Sequence, residues 1–120
     1  MKFSVATRFA VSASILIACF ATASPAADAP KRIEIVAKRF SYSPSEVILK
    51  KGEPVLLVFR SQDVPHGIKF KELNLQTEIG KSTANQLSFT PTQTGDFVGH
   101  CSHFCGTGHG SMTLTLHVTE

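Results

Sequence analysis

The chain has 120 residues, of which 42% are hydrophobic and none is tryptophan, with 12 lysines and arginines against 9 aspartates and glutamates. That length holds one domain. Setting aside Lys2 and Arg8, which belong to an N-terminal targeting segment, leaves 10 basic residues against 9 acidic ones, a balance that argues against a nucleic-acid partner and against long-range steering by charge.

Residues 1–23 read as an export signal. Lys2 and Arg8 are its positive end, Ala10 to Phe20 its apolar stretch, too short to span a bilayer, and Ala21-Thr22-Ala23 a small-x-small cleavage site. The mature protein then starts at Ser24, has about 97 residues and no transmembrane helix, and resides in the periplasm. Leu16-Ile17-Ala18-Cys19 supports a competing reading, a lipobox whose cysteine carries a lipid anchor. In that case Phe20 to Pro30 is a tether, whereas cleavage at Ala23 makes residues 24–30 a flexible start to a domain spanning 31–120.

From Lys31 onward, short alternating or β-branched runs are separated by turn residues, the pattern of an all-β sandwich. Ile33, Ile35 and Ala37 alternate with exposed positions. Glu46 to Lys50 follows Ser-Pro-Ser, Lys51-Gly52 turns, and Pro54 to Arg60 is apolar enough to be central, which puts the interior strands early. After a loop at Ser61 to Pro65, a strand is expected at Ile68 to Phe70, then an irregular stretch through Leu75 before Glu78 and Ile79. Gln86 to Thr90 and Asp96 to Cys101 follow, and Met112 to Val118 closes the chain with Met112, Leu114, Leu116 and Val118 on one face. No internal repeat is present. The expected core is Phe40, Leu49, Leu57, Phe59, Phe70, Leu87, Phe89, Phe97, Leu114 and Leu116, enclosed by a two-sheet Greek-key sandwich.

The run Cys101-Ser102-His103-Phe104-Cys105-Gly106-Thr107-Gly108-His109-Gly110-Ser111-Met112 gathers thiol, imidazole and thioether donors in twelve residues. Soft sulfur ligands favour Cu(I) and imidazole suits both copper states, so the set can hold copper through a one-electron change. His66, between two strands in Asp63-Val64-Pro65-His66-Gly67, is the candidate ligand from elsewhere, and Gly67 permits close backbone approach. Other readings stay open at this level. Cys101 and Cys105 can close a five-residue disulfide; Cys2His2 zinc leaves Met112 unexplained; one copper on His66, Cys105, His109 and Met112 leaves Cys101 spare. His100 and His117 read as ordinary strand residues.

Over residues 31–120 the chain resembles the cupredoxins, and within them the CuA domain of cytochrome c oxidase subunit II. The shared features are Cys-x3-Cys-x3-His-x2-Met, the upstream histidine loop, Phe40 with Ser43-Pro44, and the Gly95 turn. The resemblance implies a cupredoxin-like fold with two coppers bridged by Cys101 and Cys105. His66 and His109 would each bind one copper terminally, with Met112 as a weak axial ligand. The residue midway between the cysteines would give its backbone carbonyl, and here it is His103 where oxidase subunits usually carry glutamate, so a role for the imidazole itself stays open. Phe104 is expected to shield the site.

A centre without an open coordination position points to electron transfer rather than catalysis. The expected function is that of a monomeric periplasmic relay between redox partner proteins, one of which can be a membrane-bound complex. The alternatives are an accessory role in copper handling or ferrous-iron uptake, with a mononuclear site, and an Fe(II)-oxidising enzyme. The enzyme needs an acidic substrate site, and Asp63 and Asp96 are the acids nearest the ligands in sequence.

Overall fold

A computed structural model describes Lys2 and residues 29–120. The export signal, the lipobox at Cys19 and most of the flexible start lie outside the described residues.

Nine strands form the domain: β1 (Lys31–Lys38), β2 (Ser41–Ser43), β3 (Glu46–Lys50), β4 (Val55–Ser61), β5 (His66–Phe70), β6 (Leu75–Ile79), β7 (Asn85–Phe89), β8 (Gly95–His100) and β9 (Thr113–Thr119). They build a four-stranded sheet ordered β2-β1-β4-β7 and a five-stranded sheet ordered β3-β9-β8-β5-β6. The chain passes repeatedly from one sheet to the other, so β1 pairs in parallel with β4, and β3 in parallel with β9. This is the expected all-β sandwich.

Alternation explains the layering, because successive side chains of a strand face opposite ways. Ile35 and Ala37 of β1, Val47 and Leu49 of β3, and Leu114, Leu116 and Val118 of β9 point inward and are buried between the sheets. β4 reads as a nearly continuous apolar run and lies between β1 and β7, which is why Val55, Leu57, Val58 and Phe59 are all buried.

Several expectations need correction. The stretch from Lys71 is not irregular throughout: a short 3-10 turn at Lys71–Leu73 leads directly into β6. In the five-stranded sheet the interior positions fall to β9, β8 and β5, so the late strands are as central there as β4 is in the other sheet. Phe40, Leu87 and Phe89 flank the core and are only partly buried, while Tyr42, Ile68 and Ile79 are inside it. Partner strands decide these cases, and a strand's own pattern does not reveal its neighbours.

His117 of β9 is half-buried rather than freely exposed. Its Nδ1 lies 2.6 Å from Asp96 Oδ1 on β8 and its Nε2 3.4 Å from Glu46 Oε1 on β3. The hydrogen bond to Asp96 raises its pKa above 6.5 against a smaller opposing effect of burial, and Glu46 adds to the rise. A raised folded-state pKa stabilises the fold fully below the unfolded value and loses that contribution as pH rises through the folded value. Urea titrations should therefore show stability falling from about pH 6.5 upward, and His117→Gln should flatten that fall. An unchanged slope in the variant would remove His117 from the account.

Candidate metal centre

Three connections meet at one end of the sandwich: the Arg39-Phe40 corner between β1 and β2, the Gln62 to Pro65 loop between β4 and β5, and the Cys101 to Met112 loop between β8 and β9. The sulfur-rich loop leaves β8 immediately after His100 and returns to β9 at Thr113. It is pinned at its base by the Cys101 N–H, which donates to the Met112 carbonyl at 3.2 Å. A 3-10 turn at His109–Ser111 then aims His109 back toward the cysteines.

Cys105 is the hub. Its Sγ lies 3.7 Å from Cys101 Sγ, 3.9 Å from His109 Nδ1 and 3.9 Å from Met112 Sδ. Both cysteines are free and buried, so the close pair is a dithiol and not a disulfide. Burial, reinforced by the Cys101 thiol, pushes the Cys105 pKa up against a smaller opposing effect of Arg39. A metal that takes both thiolates therefore displaces protons.

His66 is the first residue of β5 rather than a loop residue, and it is 0% exposed. Its Nε2 lies 2.8 Å from Asp63 Oδ1. Its Nδ1 is buried with no hydrogen-bond partner. An orphaned buried ring nitrogen is costly unless something else satisfies it. Here the ligand atoms of His66, Cys101 and Cys105 all lie within 4.8 Å of one another, which meets the requirement for a metal: one nitrogen free, the other oriented by a carboxylate.

Asp63 is itself held. It accepts from the Arg39 N–H at 2.7 Å and from the Val64 N–H at 2.6 Å. Burial raises its pKa, but these two bonds and His66 together outweigh that and hold the carboxyl down at about 2. Tyr42, on β2, is buried beneath the site and donates its hydroxyl to the Gly67 carbonyl at 2.5 Å. Burial, and after it the nearby Cys101 thiol, raise the Tyr42 pKa and keep the phenol neutral. A Cβ on Gly67 would collide with Ser102 Oγ, so the bare backbone lets the two ligand-bearing segments touch.

The fold thus brings His66, Cys101, Cys105, His109 and Met112 together. It divides His103: the carbonyl lies 3.1 Å from Cys101 Sγ, while the imidazole, 49% exposed, turns outward to Glu78 with Nδ1 3.4 Å from Oε2. Phe104 does not shield the site. The residue is 76% exposed and its ring is tilted against that of His109 with centroids 5.7 Å apart. Met112 is buried but precedes β9 rather than starting it. Arg39 and Tyr42 escaped the sequence reading because each reaches the site across more than twenty residues of chain. In sequence Asp63 is only an acid near the candidate ligands, and its contact with His66 Nε2 comes from the fold.

Residues 10–114 match the family model described as Cupredoxin-like domain. The chain belongs to this cupredoxin-like family. Solved structures agree on the fold. A chain of a heme-copper terminal oxidase dimer is 24% identical with a TM-score of 0.67, the match covering 74% of this chain and 65% of that one. This cupredoxin-like chain thus spans less than two thirds of the oxidase chain. The periplasmic domain of subunit II of cytochrome oxidase from Bradyrhizobium japonicum is 18% identical with a TM-score of 0.70, covering 78% and 87%. Auracyanin A, a blue copper protein of Chloroflexus aurantiacus, is 15% identical with a TM-score of 0.61, covering 76% and 100%.

Proposed function

We propose that this cupredoxin-like chain is a periplasmic one-electron carrier that holds a CuA-like pair of copper ions. His66, Cys101, Cys105, His109 and Met112 are the ligands, together with the backbone carbonyl of His103. The observation that carries the reading is Cys105 Sγ standing within 3.9 Å of a second thiol, an imidazole nitrogen and a thioether, with the buried His66 ring, whose Nδ1 has no hydrogen-bond partner, beside the two cysteines. Bound copper would supply a reversible one-electron couple, and the Cys101 and Cys105 thiolates would be the soft donors that hold it.

The protein's own contribution is rigidity. Four of the five ligand side chains are held at or next to strand ends or in the core: His66, Cys101, Cys105 and Met112 are all buried. Asp63 fixes the ring of His66 through Nε2. Both Asp63 oxygens are engaged by Arg39, Val64 and His66, so this acid does not present a free carboxylate to an incoming Fe(II) ion. The partners are redox proteins, of which one can be a membrane-bound complex. Export rests on residues 1–23, with cleavage before Ser24 and lipidation at Cys19 as its alternative. Among the described residues no helix is long and apolar enough to cross a membrane.

Copper stoichiometry and low-temperature EPR on the loaded domain test the proposal. Two coppers per chain with a seven-line hyperfine pattern are expected. One copper with a four-line pattern would replace the carrier reading with a mononuclear protein and favour the accessory role. His103→Ala should leave the copper count and visible spectrum unchanged, since only the carbonyl faces the thiols. Loss of the spectrum would give the imidazole a place among the ligands.

A further inference from the structure

We propose that Arg39 is a positioning residue for the thiol centre, one that holds both ligand-bearing segments from the β1–β2 corner and sets a permanent positive charge beside Cys105. The inference rests on the copper reading above and adds to it a residue outside the ligand set.

Arg39 acts through two separate arms. Its backbone N–H donates to Asp63 Oδ2 at 2.7 Å, and Asp63 Oδ1 in turn lies 2.8 Å from His66 Nε2. Its side-chain Nε donates to the Cys105 carbonyl at 2.9 Å, across 66 residues of chain. One residue therefore ties the His66 segment to the Cys105 segment. The next residue strengthens the tie: the ring of Phe40 lies against Gly106 so closely that a Cβ there would sit 2.9 Å from Cε1. The corner is a stiff anchor, because β1 is paired along its length with β4 and at its end with β2.

The two arms do different things. The Nε hydrogen bond restricts the sulfur loop while the backbone one holds Asp63 behind His66, and partners of this kind change metal affinity by roughly 10–100-fold when removed. The guanidinium brings a positive charge to the Cys105 side of the cluster. A fixed positive charge near the centre disfavours its more positive, oxidised form, so it raises the reduction potential.

Arg39→Met removes the Nε donor and the charge, whereas Arg39→Lys keeps the charge but loses the planar fork. Three readouts separate the effects. In metal-free protein, amide hydrogen exchange of residues 101–112 should be faster in both variants than in the parent at matched global stability. In copper-loaded protein, copper retention against a chelator should fall about 10-fold in both. The reduction potential should drop in Arg39→Met and stay near the parent value in Arg39→Lys. Unchanged loop exchange in both variants would overturn the positioning role, and an equal drop in potential in both would overturn the charge effect. If the parent itself takes up no copper, the copper reading fails, while the exchange experiment still decides the clamp.

Discussion

Cys105→Ser is expected to empty the centre of copper, and Cys101→Ser to leave one copper where the parent holds two. The asymmetry follows from position. Cys105 Sγ has Cys101 Sγ, His109 Nδ1 and Met112 Sδ within 3.9 Å, whereas the neighbours of Cys101 Sγ are Cys105 Sγ, the His103 carbonyl and the Tyr42 and His66 side chains. A serine hydroxyl is a hard donor with a far higher pKa than a thiol, so it does not replace the soft ligand. Removing the hub strips the soft donor shared by the whole set, while removing Cys101 spares a Cys105-His109-Met112-His66 group suited to a single ion. Metal analysis and EPR read the difference: no copper signal for Cys105→Ser, and a four-line pattern for Cys101→Ser. Two coppers and a seven-line pattern in either variant would refute the bridging assignment. Both substitutions should leave a folded domain, since a buried hydroxyl without a full set of partners costs about 1–3 kcal/mol.

Phe70→Ala should destabilise the metal-free domain by about 3–5 kcal/mol. Phe70 is completely buried at the end of β5, and its ring edge fills the space left by Gly99 on β8, where a Cβ would come within 2.6 Å of Cε1. The ring therefore seals the contact between two strands of the five-stranded sheet, and the neighbouring groups are too tightly paired to collapse into the cavity. A small domain has a total stability of about 5–15 kcal/mol, so this loss is a large share of it. A urea titration should show a lower midpoint with an unchanged slope. Copper bound to the folded state at the proposed centre would restore part of the loss by mass action. A loss under 1 kcal/mol would mean that the site repacks, contrary to the close fit described here.

Both experiments bear on how much the chain declares in one dimension. The period-two patterns of β1, β3 and β9 announced half-buried strands, and their inward residues are the ones that alternation selects, because strand periodicity is a local property. The donor run from Cys101 to Met112 was legible for a similar reason: its donors share one loop, and their spacing is written directly in the chain. His66 was legible through its turn-rich setting, although the structure shows it opening β5. The outward course of Phe104 was not legible, since an aromatic residue beside metal ligands reads equally as a shield or as a surface group until the loop's path is known.

The amino-acid sequence by itself determined an all-β sandwich, the identity of the soft donors and the metal chemistry they suit, because each depends on residue type and short-range spacing. Only the tertiary structure decided that Cys105 is the hub of the donor cluster, that the His103 carbonyl faces the thiols while its ring turns outward, and that Arg39, Tyr42 and Asp63 stand around the cluster. Those relations join segments as far as 66 residues apart. They are set by strand pairing and by the burial of polar groups that must find partners, and neither leaves a local mark on the chain.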